Sequence, residues 1–338
     1  MFTKILRLNP NTIAAVCAGL LIMGLGVYLN IRISAATTIA SAEAESGIIV
    51  GSASLRGDPA ASGGQAVRFT QLPRGMWVWD ATVATDTNKR DDLMDFAVSK
   101  GVNRLYLESE ELILSNQAAI TSFCIAAAQH GIEVELLFGN NQWTYSSNHT
   151  YALALATKSA HYVGSLQGPK PIAVHFDVEP HTLPDFETDR DGVFAQYLIL
   201  LQKLQVAKGS QLQFNVDYPL GFDVLSAKVG SETKLMSAWM YDYVDRGIMM
   251  DYRDFADTDD GIIARVAFSM EHAKNVGKTV GIGVETLCDL EPEKISFCEE
   301  GEAVMLRELA KVQAVYGDSA AFGGFSIHYY DSYSSLIP

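Results

Sequence analysis

The stretch Pro171-Ile172-Ala173-Val174-His175-Phe176-Asp177-Val178-Glu179-Pro180 reads as a buried strand, an apolar lead-in that ends abruptly in two carboxylates. Side chains alternate faces along a strand, so Asp177 and Glu179, two residues apart, point the same way. Two carboxylates on one face raise each other's pKa. One can then keep a proton near neutral pH and act as a general acid while the other stays charged. Glu179 before Pro180 has a plainer reading, as a cap for the next segment, but adjacent strand-end carboxylates are costly without a use.

Outward from this stretch, short apolar runs alternate with amphipathic segments from Gly75 onward, the pattern of parallel β/α architecture. Strands are predicted at 75–80, 103–108, 132–138, 172–178, 211–217, 247–252, 279–285 and 322–328, with helices at 88–100, 116–130, 150–165, 191–206 and 260–276 among them. Eight strands with helical crossovers predict an α/β fold, a (β/α)8 TIM barrel over residues 73–338. Residues 329–338 are too few for an eighth full helix.

Such a barrel carries its chemistry at the carboxyl ends of its strands. Here those ends read Trp77-Val78-Trp79-Asp80, Tyr106-Leu107-Glu108, Phe138-Gly139-Asn140-Asn141-Gln142-Trp143, Asp177-Val178-Glu179, Asn215-Val216-Asp217-Tyr218, Met250-Asp251-Tyr252-Arg253-Asp254, Gly283-Val284-Glu285-Thr286 and Ile327-His328-Tyr329-Tyr330-Asp331. Polar endings on one or two strands would be ordinary capping; on all eight they describe a polar, aromatic-lined pocket. The catalytic candidates are Glu179, Asp177 and Glu285. The candidate substrate contacts are Trp77, Trp79, Asp80, Tyr106, Glu108, Asn140, Trp143, His175, Asp217, Tyr252, Arg253, His328 and Tyr330. Several have structural alternatives. One of Trp77 and Trp79 could be core packing, Glu285 could pair with Arg253 or Lys278, and Met249 and Met250 read as core. The string Trp239-Met240-Tyr241-Asp242-Tyr243 resembles a strand end, but Leu235, Met236, Trp239, Met240 and Tyr243 recur at helical spacing, so it is assigned to a helix.

Carboxylates interleaved with Trp and Tyr match the needs of glycoside chemistry. An acid protonates the leaving oxygen, a second carboxylate stabilises or attacks the oxocarbenium-like centre, and aromatic faces pack on the sugar. The sequence has no phosphate-cradling glycine loop, nucleophile elbow or His/Cys cluster at zinc spacing, and it implies no cofactor or metal. A metal-dependent alternative would gather His175, His181 and His328 around Asp177, although the first strand lacks the His-x-His pair expected of such hydrolases.

These residues resemble two families. Asp177-Val178-Glu179 on strand four, with Asp245 leading through Ile248-Met249-Met250 to Tyr252 on strand six, is similar to the chitinase-type barrels of glycoside hydrolase family 18, which carry D-x-E and M-x-Y there. That resemblance implies Glu179 as proton donor, Asp177 orienting a substrate acetamido group and Tyr252 supporting it. The family's strand-four pattern has further acidic residues upstream, where this chain has apolar residues or His175. Glu179 after strand four and Glu285 after strand seven also resemble the acid/base and nucleophile of the retaining clan that includes cellulases and β-galactosidases, with Val178 where that clan usually has Asn. The phrases at Ala42–Gly47 and Ala60–Phe69 resemble the opening strands of β-sandwich carbohydrate-binding modules, over about thirty residues.

Composition bounds the partners. A net charge of −15 with no basic cluster argues against nucleic acid and anionic lipid headgroups and suits a neutral carbohydrate substrate. Residues 1–40 carry Lys4 and Arg7, then an uncharged run from Thr12 to Leu29 and then mostly small residues, an export signal either cleaved or kept as a membrane anchor. Residues 41–72 form a spacer or the remnant of a binding module. Cys17 lies in the apolar run and Cys124 reads as a buried inert thiol, while Cys288 and Cys298 are expected to pair in an oxidising compartment. The expectation is an exported, extracellular or cell-surface hydrolase of polysaccharide or glycoconjugate; the alternatives are a non-catalytic carbohydrate-binding barrel and a metal-dependent hydrolase.

Overall fold

A computed structural model of the chain describes residues 73–338 in full and, before them, the backbone of two short strands, Ala53–Gly57 (β1) and Gln65–Phe69 (β2). β1 and β2 pair antiparallel, Ala53 opposite Phe69, in a unit separate from the rest. The expected leader at 1–40 lies outside the described residues. Among those described, no helix is long and apolar enough to cross a membrane.

Eight parallel strands close into a barrel: Arg74–Val78 (β3), Arg104–Glu108 (β4), Glu133–Gly139 (β5), Ala173–Asp177 (β6), Gln213–Pro219 (β7), Arg246–Met250 (β10), Thr279–Glu285 (β11) and Phe322–His328 (β12). The break in numbering is a small antiparallel hairpin, Ser226–Val229 (β8) with Glu232–Leu235 (β9), set in the connection after β7. Alternation sorts each barrel strand into two faces. Val174 and Phe176 of β6, Phe214 and Val216 of β7 and Val280, Ile282 and Val284 of β11 join the large apolar layer under the helices. The opposite face fills the barrel with Trp77, Tyr106, Leu137 and Ile248, together with buried Glu135, His175, Asn215, Asp217, Arg246 and Ser326. Two glycines make room for this filling. A Cβ on Gly75 would lie 2.0 Å from the Tyr106 hydroxyl, and one on Gly281 would lie 2.7 Å from an Arg246 guanidinium nitrogen.

The crossover helices follow their local signals. Thr87–Ser99 starts at Asp86, whose carboxylate accepts from the Asn88 and Lys89 amides; Arg190–Ala207 starts at Asp189 in the same way; and Ala267–Val276 stops at Gly277, which is left-handed. Gln117–Gln129 and His149–Ser165 complete the expected set, and Met236–Met240 is helical, as the spacing of Trp239 and Met240 predicts. Three differences stand out. The sixth strand ends at Met250, so Asp251 and Tyr252 lie in the loop beyond it, where the Asp251 amide turns back to the Met249 carbonyl. The segment 260–276 is two helices, Ile262–Arg265 and Ala267–Val276, and Arg265, at the end of the first, binds Asp251 and Asp260. Short Glu110–Ser115 and long Glu302–Tyr316 were not among the predicted helices. After β12 comes a short helix, Tyr330–Ser334.

Candidate active site

At the mouth of the barrel, β6 delivers Asp177 from its last position and Glu179 two residues on. Asp177 Oδ1 is buried without a hydrogen-bond partner. Burial, then the charges of Asp217 and Glu179, push its pKa well above the ordinary carboxylate value, against a smaller opposing effect of His175. Glu179 remains one-third exposed, with its Oε2 3.4 Å from His181 Nε2. Its pKa is also raised, chiefly by burial and then by Asp217. The Tyr252 phenol is held well above its usual range by burial and then by Glu285, Asp217, Asp177 and Glu179. Tyr252, on the loop beyond the sixth barrel strand, thus lies in the field of carboxylates borne by the fourth, fifth and seventh.

The eighth strand supplies His328, which ties two of these elements together. Its Nε2 accepts from the Trp79 indole at 3.2 Å, which leaves the ring proton on Nδ1, 2.7 Å from Glu285 Oε2. Glu285 Oε1 accepts from the backbone amides of Thr286 and Leu287, both at 2.8 Å. Three donors thus hold the Glu285 carboxylate in one orientation. The pairings with Arg253 or Lys278 weighed from the sequence do not form: Arg253 binds Asp260 and Lys278 binds Asp245.

Beneath the mouth runs a column of buried charge. Glu135 lies 3.0 Å from His175 Nδ1, 3.3 Å from Arg104 and 3.4 Å from Arg246, and it accepts from Asn215 at 2.9 Å. Burial alone would raise the Glu135 pKa, but His175 and the two guanidinium groups outweigh it and hold it at about 2. His175 Nε2 lies 2.9 Å from Asp217 Oδ1, and Asp217 Oδ2 accepts from the Trp77 indole at 2.9 Å. Burial opposes the imidazolium, yet Asp217 and Glu135 keep its pKa up at about 9. Tyr106 packs edge-on against Trp77 and His175 at 5.0 and 4.6 Å and hydrogen-bonds Ser326. Trp77, Tyr106 and His175 are fully enclosed, so they support the mouth from below instead of lining it.

Other candidates have partners or positions of their own. Asp80 caps the short turn Ala81–Ala84 by accepting from the Thr82 amide, and it pairs with Lys89. Glu108 accepts from the Glu110 amide at the start of the next helix, and Tyr330 packs on Phe96 outside the barrel. Asn140 and Trp143 lie on the turn after β5, and Arg253 on the loop after β10. Cys288 and Cys298 are disulfide-bonded, and Cys124 is free and buried. The metal-binding arrangement is not formed. His175, His181 and His328 each face a different carboxylate, and among the described residues no three His, Cys, Asp or Glu side chains gather at metal-binding distance.

Sequence reading missed Glu135, Arg104 and Arg246, weighed His181 only as a metal ligand, and took Tyr329 only as part of the eighth strand end. For Glu135 a signal exists: in Glu133-Val134-Glu135-Leu136-Leu137-Phe138 an acid interrupts an apolar strand at a position of the inward face. Tyr329 joins Trp79 against the inner aromatic cluster and lies 4.8 Å from His328 between ring centres.

No protein-family model matches the sequence, and comparison with curated proteins finds no match. Solved structures do match. An exo-β-1,4-mannosidase from Opitutaceae bacterium strain TAV5 is 12% identical at a TM-score of 0.52, covering 78% of this chain and 55% of that one. β-Glucuronidase 2 of Bacteroides uniformis is 12% identical at 0.50, covering 81% of this chain and 32% of that one. A β-mannanase from Alicyclobacillus acidocaldarius is 13% identical at 0.49, covering 80% and 90%. The chain thus spans about half of the mannosidase and a third of the glucuronidase, and it shares with them the fold of a (β/α)8 TIM barrel.

Proposed function

We propose that this chain is an exported glycoside hydrolase acting on an extracellular polysaccharide or glycoconjugate, with Glu179 as its general acid. The observation that carries this reading is the cluster of Asp177, Glu179 and Asp217, in which burial and mutual repulsion keep the first two protonated above the usual range. Glu179 is the exposed member, placed to give its proton to the glycosidic oxygen as the bond from that oxygen to the anomeric carbon breaks. The second role falls to Asp177. Its buried, unpartnered oxygen suits the amide of a substrate 2-acetamido group, whose carbonyl oxygen would then attack the anomeric carbon. The names of the fold neighbours, a mannosidase and a glucuronidase among them, favour carbohydrate as the substrate class. The apolar leader and the Cys288–Cys298 bond favour export into an oxidising compartment.

A second reading gives attack on the anomeric carbon to Glu285, supported by the three donors that fix its carboxylate among the same charges. One set of assays tests both. Glu179→Gln is expected to lower kcat on a responsive polysaccharide by roughly 10²–10⁴-fold, and retained turnover would contradict the acid assignment. Hydrolysis confined to 2-acetamido sugars supports Asp177. Azide rescue of Glu285→Ala with inversion at the anomeric carbon supports Glu285 instead. A protein that binds oligosaccharides and turns over none is a carbohydrate-binding barrel.

A further inference from the structure

An open groove of about 650 Å³ lies beside the mouth, bounded by Glu110, Asn140, Gln142, Trp143, Asn148 and Tyr151. It is larger than a single sugar ring needs and falls in the range of small-molecule sites. Its floor is aromatic. Tyr151 is 45% exposed, and its ring lies 6.0 Å from that of Trp143, which packs in turn on Phe176 of β6. The Tyr151 hydroxyl donates to Glu110 at 2.8 Å, which fixes the ring on the groove wall. The side chains of Asn140, Gln142 and Asn148 add amide donors and acceptors, and Glu110 is the single charged residue along the lining.

The groove begins where the carboxylate mouth ends. Gly139, the last residue of β5, lies against Asp177 and Trp79: a Cβ there would be 3.3 Å from the Asp177 carbonyl and 3.7 Å from the Trp79 ring. The next residues, Asn140 to Trp143, turn directly into the groove wall. The same turn is tied to the acid's own loop, since Asn141 donates to the Thr182 hydroxyl at 2.8 Å and that hydroxyl donates to the Glu179 carbonyl at 2.8 Å. A hydrogen-bonded wall therefore joins the Glu179 loop to the turn that carries Trp143.

We propose that this groove is a second carbohydrate-binding site, which takes neutral pyranose units of the same polymer chain whose glycosidic bond lies at Glu179. The proposal rests on the glycosidase reading of the mouth. Exposed tyrosine with amide side chains is the chemistry that packs a sugar face and hydrogen-bonds its hydroxyls. The acidic Glu110, in a chain of net charge −15, disfavours uronic acid polymers.

The test is calorimetric binding of chitohexaose, mannohexaose and cellohexaose, each against its disaccharide, to the Glu179→Gln protein. At least one hexasaccharide is expected to bind about tenfold more tightly than its disaccharide. Tyr151→Ala should bring that ratio close to one. Ala154→Trp, which places a bulky ring in the groove from an exposed helix position, should do the same. Equal affinity for every hexasaccharide and its disaccharide, or a chain-length gain that both substitutions leave intact, would overturn the proposal. Undiminished turnover by Glu179→Gln would instead strike at the reading of the mouth and leave the groove measurement standing.

Discussion

Glu135 and Asp177 sit on neighbouring strands of one barrel, facing the same interior, yet they are driven in opposite directions. The ladder pairs Gly139 with Asp177, and Glu135 lies four residues earlier on the same strand. Burial alone would raise the pKa of both. Glu135 has His175, Arg104 and Arg246 around it and is held at about 2; Asp177 has Asp217 and Glu179 and is held well above its usual value. The difference shows that charge placement, more than depth, decides which acid keeps a proton. The lower half of the barrel uses its ions for structure, and the upper half leaves its acids short of cations.

Substitution should therefore act with opposite sign in the two halves. The largest effect is expected for Glu135→Gln, which takes their shared anion from buried Arg246 and His175 and half-buried Arg104, leaving Asp217 to His175 and Glu133 to Arg104. It should cost roughly 3–5 kcal/mol in denaturant unfolding. A loss below 1 kcal/mol would mean that water or the remaining dipoles compensate the cations.

Asp177→Asn is expected to stabilise instead, by roughly 1–2 kcal/mol near neutral pH, because it removes a buried carboxyl that folding forces to keep its proton or to ionise without a partner. The pH dependence follows from the raised pKa. Below the unfolded value of 3.8 the wild-type carboxyl is protonated in both states, so the gain should be absent there. It should grow as the pH rises toward the folded value, over the window in which the wild type loses stability. Thermal melts from pH 3 to 8 read the difference, and a gain independent of pH would point to a cause other than the charge.

The smallest effect belongs to an acid outside both halves. Asp80→Ala removes the cap of the Ala81–Ala84 turn and should cost about 1 kcal/mol, with no change in the pH profile of turnover. A shifted profile would return Asp80 to the mouth, where the sequence had placed it.

These contrasts mark what was legible beforehand. Alternating apolar runs gave eight strands, because the outward faces of β5, β6 and β7 must be apolar to carry helices. Strand ends also located Asp177, Glu179, Asp217, Tyr252, Glu285 and His328, since parallel topology gathers carboxyl ends on one rim. The sequence did not separate rim from interior. Trp77, Tyr106 and His175 sit near strand ends just as Glu179 does, yet they are inward residues of a lower layer, and layer depends on barrel stagger. Capping hid Asp80 and Glu108 in the same way, because a strand-end acid looks alike whether it meets a sugar or the next helix amide. The ion column escaped notice because its members come from five different strands and only closure brings them together.

The contrast between the two halves is tested most directly by the protonation of Glu179 itself, followed by carboxyl carbon NMR on the Glu-labelled full chain and assigned by difference against Glu179→Gln. With Asp217 in place, Glu179 should titrate above the ordinary 4.5; in Asp217→Asn its pKa should fall, and the alkaline limb of the kcat/KM profile should move to lower pH with it. Titration at or below the ordinary value in the wild type, or a value that Asp217→Asn leaves unchanged, would contradict a proton held on Glu179 by its charged neighbour.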